Sequence, residues 1–320
     1  EYYESDHGTV IVMETNTGQI KAISNLGKID DGSYRETVNY AVLERHDPGS
    51  TFKLASYLAL LDDGKADTAT IYDTHNGIVT FSGRQVRDSN RRGYGKISLG
   101  RAFEVSSNTV VTQAVNQAYK DNPKDFTDKM KDFGFNATLG LDLKGEPKSY
   151  IPVPGDRNWS KIALPWMAYG YGILVTPMQT LTLYNAVANN GEMVKPQFVK
   201  EIRDVNQVIR TFDKEVINPQ IVKPKVVKEM QAIMKNVVLR GTGKGLQSKD
   251  FSMAGKTGTA QMNYGNRGGM YYASSFVGYF PADNPKYSCI VVIHRPTKHS
   301  YYGGDVAGPV FKRIAQKIFT

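Results

Sequence analysis

Ser50 and Lys53 stand three residues apart at the head of an apolar run that continues through Leu61. In a helix that spacing puts a hydroxyl and an amine on one face, one turn apart. A serine hydroxyl is a poor nucleophile at neutral pH, and a lysine kept neutral by burial or by a nearby cation can take its proton. The positive end of the helix dipole favours the resulting alkoxide. Alone the pair says little, because among 18 serines a Ser-x-x-Lys arises about once by chance.

Two further segments offer compatible chemistry. Ser106-Ser107-Asn108 falls between two predicted helices, where a turn can present the side chains of Ser106 and Asn108 to a cleft. For this triplet taken alone, plain capping of the helix at Thr109 by Asn108 or Ser107 is the stronger explanation. Lys256-Thr257-Gly258-Thr259 lies in a run from Met253 to Gln261 that reads as a strand interrupted by glycines. Alternation puts Thr257 and Thr259 on one face, and Gly258 lets another backbone approach closely, as a bound peptide would. Gly255-Lys256-Thr257 also looks like the end of a phosphate loop, but Asp250 stands where that loop needs glycine. Gly243-Lys244 fails in the same way, with Val238 and Gly245 at the required positions, so nucleotide binding is discarded.

The elements that must position these residues follow from periodicity and turn chemistry. β-Rich runs at Thr9 to Met13 and Gln19 to Ser24 flank Thr15-Asn16-Thr17-Gly18, which predicts an opening hairpin. Apolar residues on nearly all sides predict a buried helix from Ser50 to Leu61, between Asp47-Pro48-Gly49 and Gly64. From about Lys65 to Pro177 the pattern reads as mainly helical, with helices at Ser98 to Val105 and Thr109 to Tyr119. Thr176-Pro177 starts another helix running to about Asn189, and a further one spans about Val226 to Leu239. Strands return at Met253 to Gln261, Ala273 to Phe280 and Tyr287 to His294, followed by an amphipathic helix from about Val306 to Phe319. The fold class is therefore α/β in the α+β sense: a five-stranded antiparallel sheet flanked by helices, with an inserted helical lobe. One domain, 1–320, would comprise a sheet lobe of about 1–64 and 190–320 and a helical insertion of about 65–189, with a cleft between them.

Composition narrows the class. The chain has 320 residues, 40% hydrophobic and 22% charged, which is ordinary for a folded domain and excludes disordered and fibrous classes. No apolar run approaches the 18 or so residues that a membrane helix needs. The one cysteine, Cys289, precludes an intrachain disulfide and reads as a buried structural thiol. His7, His46, His75, His294 and His299 fall at no metal-ligand spacing, so they are taken as structural or surface residues and no metal is expected. The net charge of +9 includes clusters at Arg87, Arg91, Arg92 and at Lys223, Lys225, Lys228. Neither is interleaved with the aromatics of a nucleic-acid module, so solvated faces are expected and nucleic acid is not. A start at Glu1, without an initiator Met or signal peptide, reads as a piece of a longer chain.

The order of the three pieces is far more specific than any one of them: Ser-x-x-Lys on a helix, Ser-x-Asn in a helical lobe, then Lys-Thr-Gly on a later strand. Penicillin-binding proteins and class A β-lactamases share that order. Over nearly its whole length the chain resembles the transpeptidase domain of class B penicillin-binding proteins, nearer the septal, cell-division branch than the elongation branch. Asp47-Pro48-Gly49-Ser50-Thr51-Phe52-Lys53, Gly170-Tyr171-Gly172-Ile173 with Thr176-Pro177-Met178-Gln179, and Gly241-Thr242-Gly243 carry the likeness. So do Ala254 to Gln261, Ser275-Phe276-Val277-Gly278-Tyr279 and Tyr301-Tyr302-Gly303-Gly304.

The resemblance implies a peptidoglycan D,D-transpeptidase with a β-lactamase-like fold. Ser50 would attack the penultimate D-Ala carbonyl of a stem peptide, and Lys53 would accept its proton. Ser106 would relay a proton to the leaving nitrogen, and Asn108 would hold the stem-peptide amide. Lys256 would reach Ser106 from the other face of its strand and keep Lys53 neutral by like charge. Thr257 and Thr259, beside Gly258, would bind the terminal carboxylate, and the backbone N–H groups of Ser50 and Thr259 would form the oxyanion hole. β-Lactams would acylate Ser50, no cofactor would be needed, and the partners would be stem peptides and membrane proteins of division or wall synthesis. The location would be the bacterial periplasm or the outer face of the cytoplasmic membrane, with an anchor in a preceding segment. A carboxypeptidase or β-lactamase-type hydrolase and a β-lactam sensor are the rival readings. The Glu-x-x-Leu-Asn loop of class A β-lactamases is absent between Asn108 and Lys256, and Tyr264-Gly265-Asn266, a class D-like string, follows the Lys-Thr-Gly strand where that class has it before.

Overall fold

A computed structural model describes residues 2–263 and 269–319 of the chain; Tyr264-Gly265-Asn266 lies outside the described residues. Its central sheet is antiparallel, with strands in the order Ala254–Met262, Tyr271–Phe280, Tyr287–His294, His7–Glu14, Ile20–Lys28, Tyr34–Glu36. Five are the predicted strands. The sixth pairs Tyr34–Glu36 with the end of the second hairpin strand and is too short to show a period of two in sequence.

Alternation sorts the sheet into two covered faces. Ile11, Met13, Val277, Tyr279, Ile290 and Val292 point into the larger core with the helices Lys53–Asp62 and Pro177–Ala188. Val12, Phe276, Phe280, Cys289 and Val291 point the other way, against Ala307, Phe311 and Ala315 of the terminal helix Gly303–Phe319. Phe276 and Phe311 meet edge to face at 4.7 Å between centroids, and full burial of a Phe stabilises by roughly 1.5–3 kcal/mol. Cys289 is buried in this second cluster, and burial raises its thiol far above the ordinary range, as befits a structural thiol.

The middle of the chain is less helical than its composition suggests. Residues 71–98 form two small antiparallel pairs, Ile71–Asp73 with Lys96–Ser98 and Ile78–Phe81 with Arg84–Arg87. Helices follow at Leu99–Glu104, Asn108–Tyr119, Pro123–Asp132 and Ala163–Met167. The helix Pro177–Ala188 begins with a capping box, in which Thr176 Oγ1 accepts from the Gln179 N–H and the Gln179 side chain accepts from the Thr176 N–H. It is buried along its whole length and packs on the strands Tyr271–Phe280 and Tyr287–His294. Among the described residues no helix is long and apolar enough to cross a membrane.

Candidate active site

Ser50 lies in a single 3-10 turn, Gly49–Phe52, that runs directly into the α-helix Lys53–Asp62. The predicted α-helix from Ser50 therefore starts three residues later. Gly49 opens the turn at φ +56, outside the right-handed helical region, and the orphan donors of the first turn tighten to i+3 bonding. The change sharpens the geometry: 3-10 winding eclipses residues i and i+3, and the Lys53 N–H bonds the Ser50 carbonyl. Lys53 thus leaves the helix on the same side as Ser50.

The connector Gly170 to Ile173 holds this turn from outside. Gly49 N–H donates to the Gly170 carbonyl at 3.1 Å, and Ile173 N–H donates to Asp47 Oδ1 at 3.2 Å. A Cβ on Gly170, itself at φ +90, would collide with the Gly49 carbonyl, so only glycine allows the approach. Tyr184 donates to the Thr51 carbonyl at 2.8 Å, and Tyr171 accepts the Gln261 N–H at 2.9 Å. One connector thereby ties the Ser50 turn to the end of the Lys-Thr-Gly strand.

Beneath the turn both lysines are fully buried. Lys53 Nζ donates to Asn108 Oδ1 at 2.6 Å and to the Ser106 carbonyl at 2.7 Å, and lies 3.1 Å from Ser106 Oγ. Lys256 Nζ reaches the same Oγ at 2.7 Å and the Thr257 carbonyl at 3.1 Å. Burial lowers Lys53 to about 7, opposed by the negative charge of Asp88. Burial, with the charge of Lys53 added, puts Lys256 well below the ordinary lysine range. Two ammonium groups flanking one hydroxyl cannot both stay charged cheaply, so the pair offers a proton acceptor near neutrality.

Ser50, Ser106, Asn108, Thr257 and Thr259 line one cleft of about 320 Å³, together with Thr242, Tyr302 and Gly303. The structure brings the sequence-predicted residues together. Ser107 is the helix cap, accepting from the Val110 N–H at 3.2 Å, which frees its neighbours. Ser106 sits at φ +61, a left-handed conformation that costs a non-glycine residue energy and aims its side chain between the lysines. Asn108 donates its amide to the Arg87 carbonyl at 2.8 Å. Thr257 pairs with Thr242 at 2.7 Å, and Thr259 Oγ1 accepts the Gly303 N–H at 3.0 Å. Gly258 has a different reason from the one expected: its missing Cβ leaves room for Ser275 Oγ and the Thr51 methyl, the protein's own atoms, and not for a ligand backbone.

Two positioning residues, Asp88 and Glu104, escaped the sequence reading. Asp88, buried, accepts from the N–H groups of Asn108 (2.6 Å) and Thr109 (3.0 Å) and from the hydroxyls of Ser107 and Thr109. Glu104, also buried, pairs with Arg240 and Arg101 at 2.8 Å and 2.7 Å, and its carbonyl accepts the Thr242 N–H. Thr242 then meets Thr257. Arg87 and Arg91, expected only as a solvated face, are exposed but stand beside the cleft.

A family model described as the penicillin binding protein transpeptidase domain matches residues 8–316. The chain belongs to this family. It is 29% identical over 98% of its length to the probable peptidoglycan D,D-transpeptidase PenA of Neisseria flavescens, covering 75% of that protein. To stage V sporulation protein D of Bacillus subtilis it is 27% identical over 98% of its length, covering 49% of that protein. The TP domain of Burkholderia pseudomallei penicillin-binding protein 3 shares the fold, with a TM-score of 0.81 at 24% identity, covering 99% of this chain and 88% of that one. The chain spans about half the length of the Bacillus protein.

For a penicillin-binding domain the buried lysines carry a pH expectation. A lysine accepts a proton only when unprotonated, and the lowering of Lys53 to about 7 places that transition there. Acylation of Ser50 should rise about tenfold per pH unit below that point and level off above it. Stopped-flow acylation between pH 5 and 9 measures the limb; a rate still climbing steeply at pH 9 would mean that Lys53 keeps an ordinary lysine proton.

Proposed function

We propose that this domain is a serine D,D-transpeptidase of peptidoglycan. The observation that carries the reading is the pair of buried lysines converging on Ser106 Oγ beneath the Ser50 turn. Ser50 Oγ attacks the penultimate D-Ala carbonyl of a stem peptide while Lys53 takes its proton. As the C–N bond breaks, the departing D-Ala nitrogen receives a proton through Ser106, and an ester to Ser50 remains. The N–H groups of Ser50 and Thr259 stabilise the tetrahedral oxyanion, each such donor being typically worth about 3–4 kcal/mol. Asn108 holds the peptide amide, Lys256 keeps Ser106 oriented, and Thr257 and Thr259 take the terminal carboxylate beside Gly258. An amine of a neighbouring stem then attacks the ester, its proton passes back to Ser50, and the cross-link forms.

A β-lactam presents the same carbonyl in a ring, so its leaving nitrogen stays attached and the acyl-enzyme persists. The working site is the cell-wall side of the cytoplasmic membrane, with a septal role and an anchor in a preceding segment of the whole protein. The domain division into a sheet lobe and a helical insertion serves to place this cleft between the two. Intact-mass spectrometry after incubation with a penicillin tests the assignment: one adduct on Ser50 and none in Ser50→Ala is expected. An adduct elsewhere would remove the nucleophile. Product analysis with stem peptides separates transfer from hydrolysis, since free D-Ala formed without an acceptor amine would mark a carboxypeptidase.

A further inference from the structure

A second cluster of chemically capable side chains lies at the far end of the opening hairpin. Antiparallel register sets His7 opposite His294, and the short helix Tyr40–Leu43 delivers Glu44 beside them. Glu44 Oε2 is 2.7 Å from His7 Nε2 and 3.6 Å from His294 Nε2, and the three donor atoms lie within 4.8 Å of one another. His294 is 4% exposed, and its Nε2 has no hydrogen-bond partner among the described residues. A buried ring nitrogen left without a partner is costly unless something else satisfies it.

Aromatic packing gathers these donors. Tyr40 stacks on the His7 ring at 3.9 Å, His7 stacks on His294 at 4.3 Å, and His46 packs edge-on to His294 at 4.8 Å. No lysine or arginine among the described residues neutralises Glu44, whose side chain is 30% exposed and opens the cluster to solvent on one side. Two imidazoles, one carboxylate and an open side make up the donor set of a three-ligand zinc site whose fourth position is water. Zinc bound at about 2.0–2.1 Å from each donor needs them about 3.3 Å apart. The His7 and His294 ring planes are 16° apart in the stack, so binding requires at least one ring to turn out of it and bring both in-plane lone pairs to one ion.

We propose that His7, Glu44 and His294 bind a divalent transition-metal cation of the zinc class, which staples the first strand and the Tyr287–His294 strand to the segment leading into Ser50. Glu44 lies six residues before Ser50, and the His46 backbone pairs in both directions with Val175 in the adjoining connector. The site lies outside the cleft and has no part in acyl transfer.

The test uses this chain, stripped with a chelator, dialysed, and titrated with ZnCl₂ and separately with CoCl₂. One zinc per chain by elemental mass spectrometry is expected, with a visible cobalt absorption band and a raised thermal midpoint. Glu44→Gln, a partly exposed near-isostere, and His7→Gln should each weaken zinc binding by about tenfold or more. His75→Gln and His299→Gln, exposed histidines outside the cluster, should bind as the unsubstituted chain does. Absence of stoichiometric zinc from the unsubstituted chain at micromolar metal would overturn the proposal. So would unchanged affinity in a folded Glu44→Gln variant.

Discussion

Lys53→Ala is expected to slow acylation of Ser50 by a β-lactam by about 10²–10⁴-fold, the range that a positioned general base supplies. The substitution removes the buried amine beside the Ser50 turn and leaves Ser106 as the hydroxyl next in line. Ser106 is a poor substitute, because its own hydroxyl proton must first be taken by Lys256, whose basicity burial lowers. Two opposing effects bear on stability. The change leaves the Ser106 carbonyl and Asn108 Oδ1 without a donor, at about 1–3 kcal/mol each. Against this it removes a buried amine whose burial already disfavours its charge. Acylation followed with a fluorescent penicillin, alongside a thermal melt, separates the two readouts. A rate within tenfold of the unsubstituted chain, in a folded variant, would assign the proton to another group.

How much of this site could be read in advance depended on whether each role was local in sequence. Ser50 and Lys53 are one turn apart, and the five long strands carry β-branched runs bounded by turn residues, so both were legible. Lys256 was legible only through the order of three segments, because nothing near it in sequence shows that its amine crosses to a residue 150 positions earlier. The short pairs within 71–98 have at most four residues per strand, too few to display a period, and the block was taken as mainly helical. Asp88 sits among Arg87, Ser89 and Asn90 and looks like a solvated loop carboxylate; its burial comes from a helix end twenty residues on. Glu104 is hidden similarly, since its main partner, Arg240, ends a distant helix. The histidines show the same limit from the other side. His7 and His294 lie at opposite ends of the chain, so no spacing rule joins them, yet strand register places them face to face.

Asp88 is where the second large effect is expected, and two substitutions there divide its roles. Its carboxylate takes two backbone N–H groups and two hydroxyls at the start of the helix Asn108–Tyr119, where an anion is also favoured by the helix dipole. Asp88→Ala orphans these buried donors and should cost about 3 kcal/mol or more of stability, a large share of the margin a domain has. Acylation should fall with it, because Ser106 and Asn108 are placed by the same turn. Asp88→Asn keeps an acceptor for both N–H groups and lets the hydroxyls rotate to accept, so the turn survives while the charge goes. That charge holds a proton on Lys53, opposing burial. Without it the Lys53 amine deprotonates more readily, and the acid limb of the acylation profile should move to lower pH, away from about 7. A purely structural Asp88 would instead lower the plateau and leave the limb where it is. An Asp88→Asn profile with an unmoved limb would therefore remove Asp88 from the electrostatics of the lysine pair and leave it as a helix cap alone.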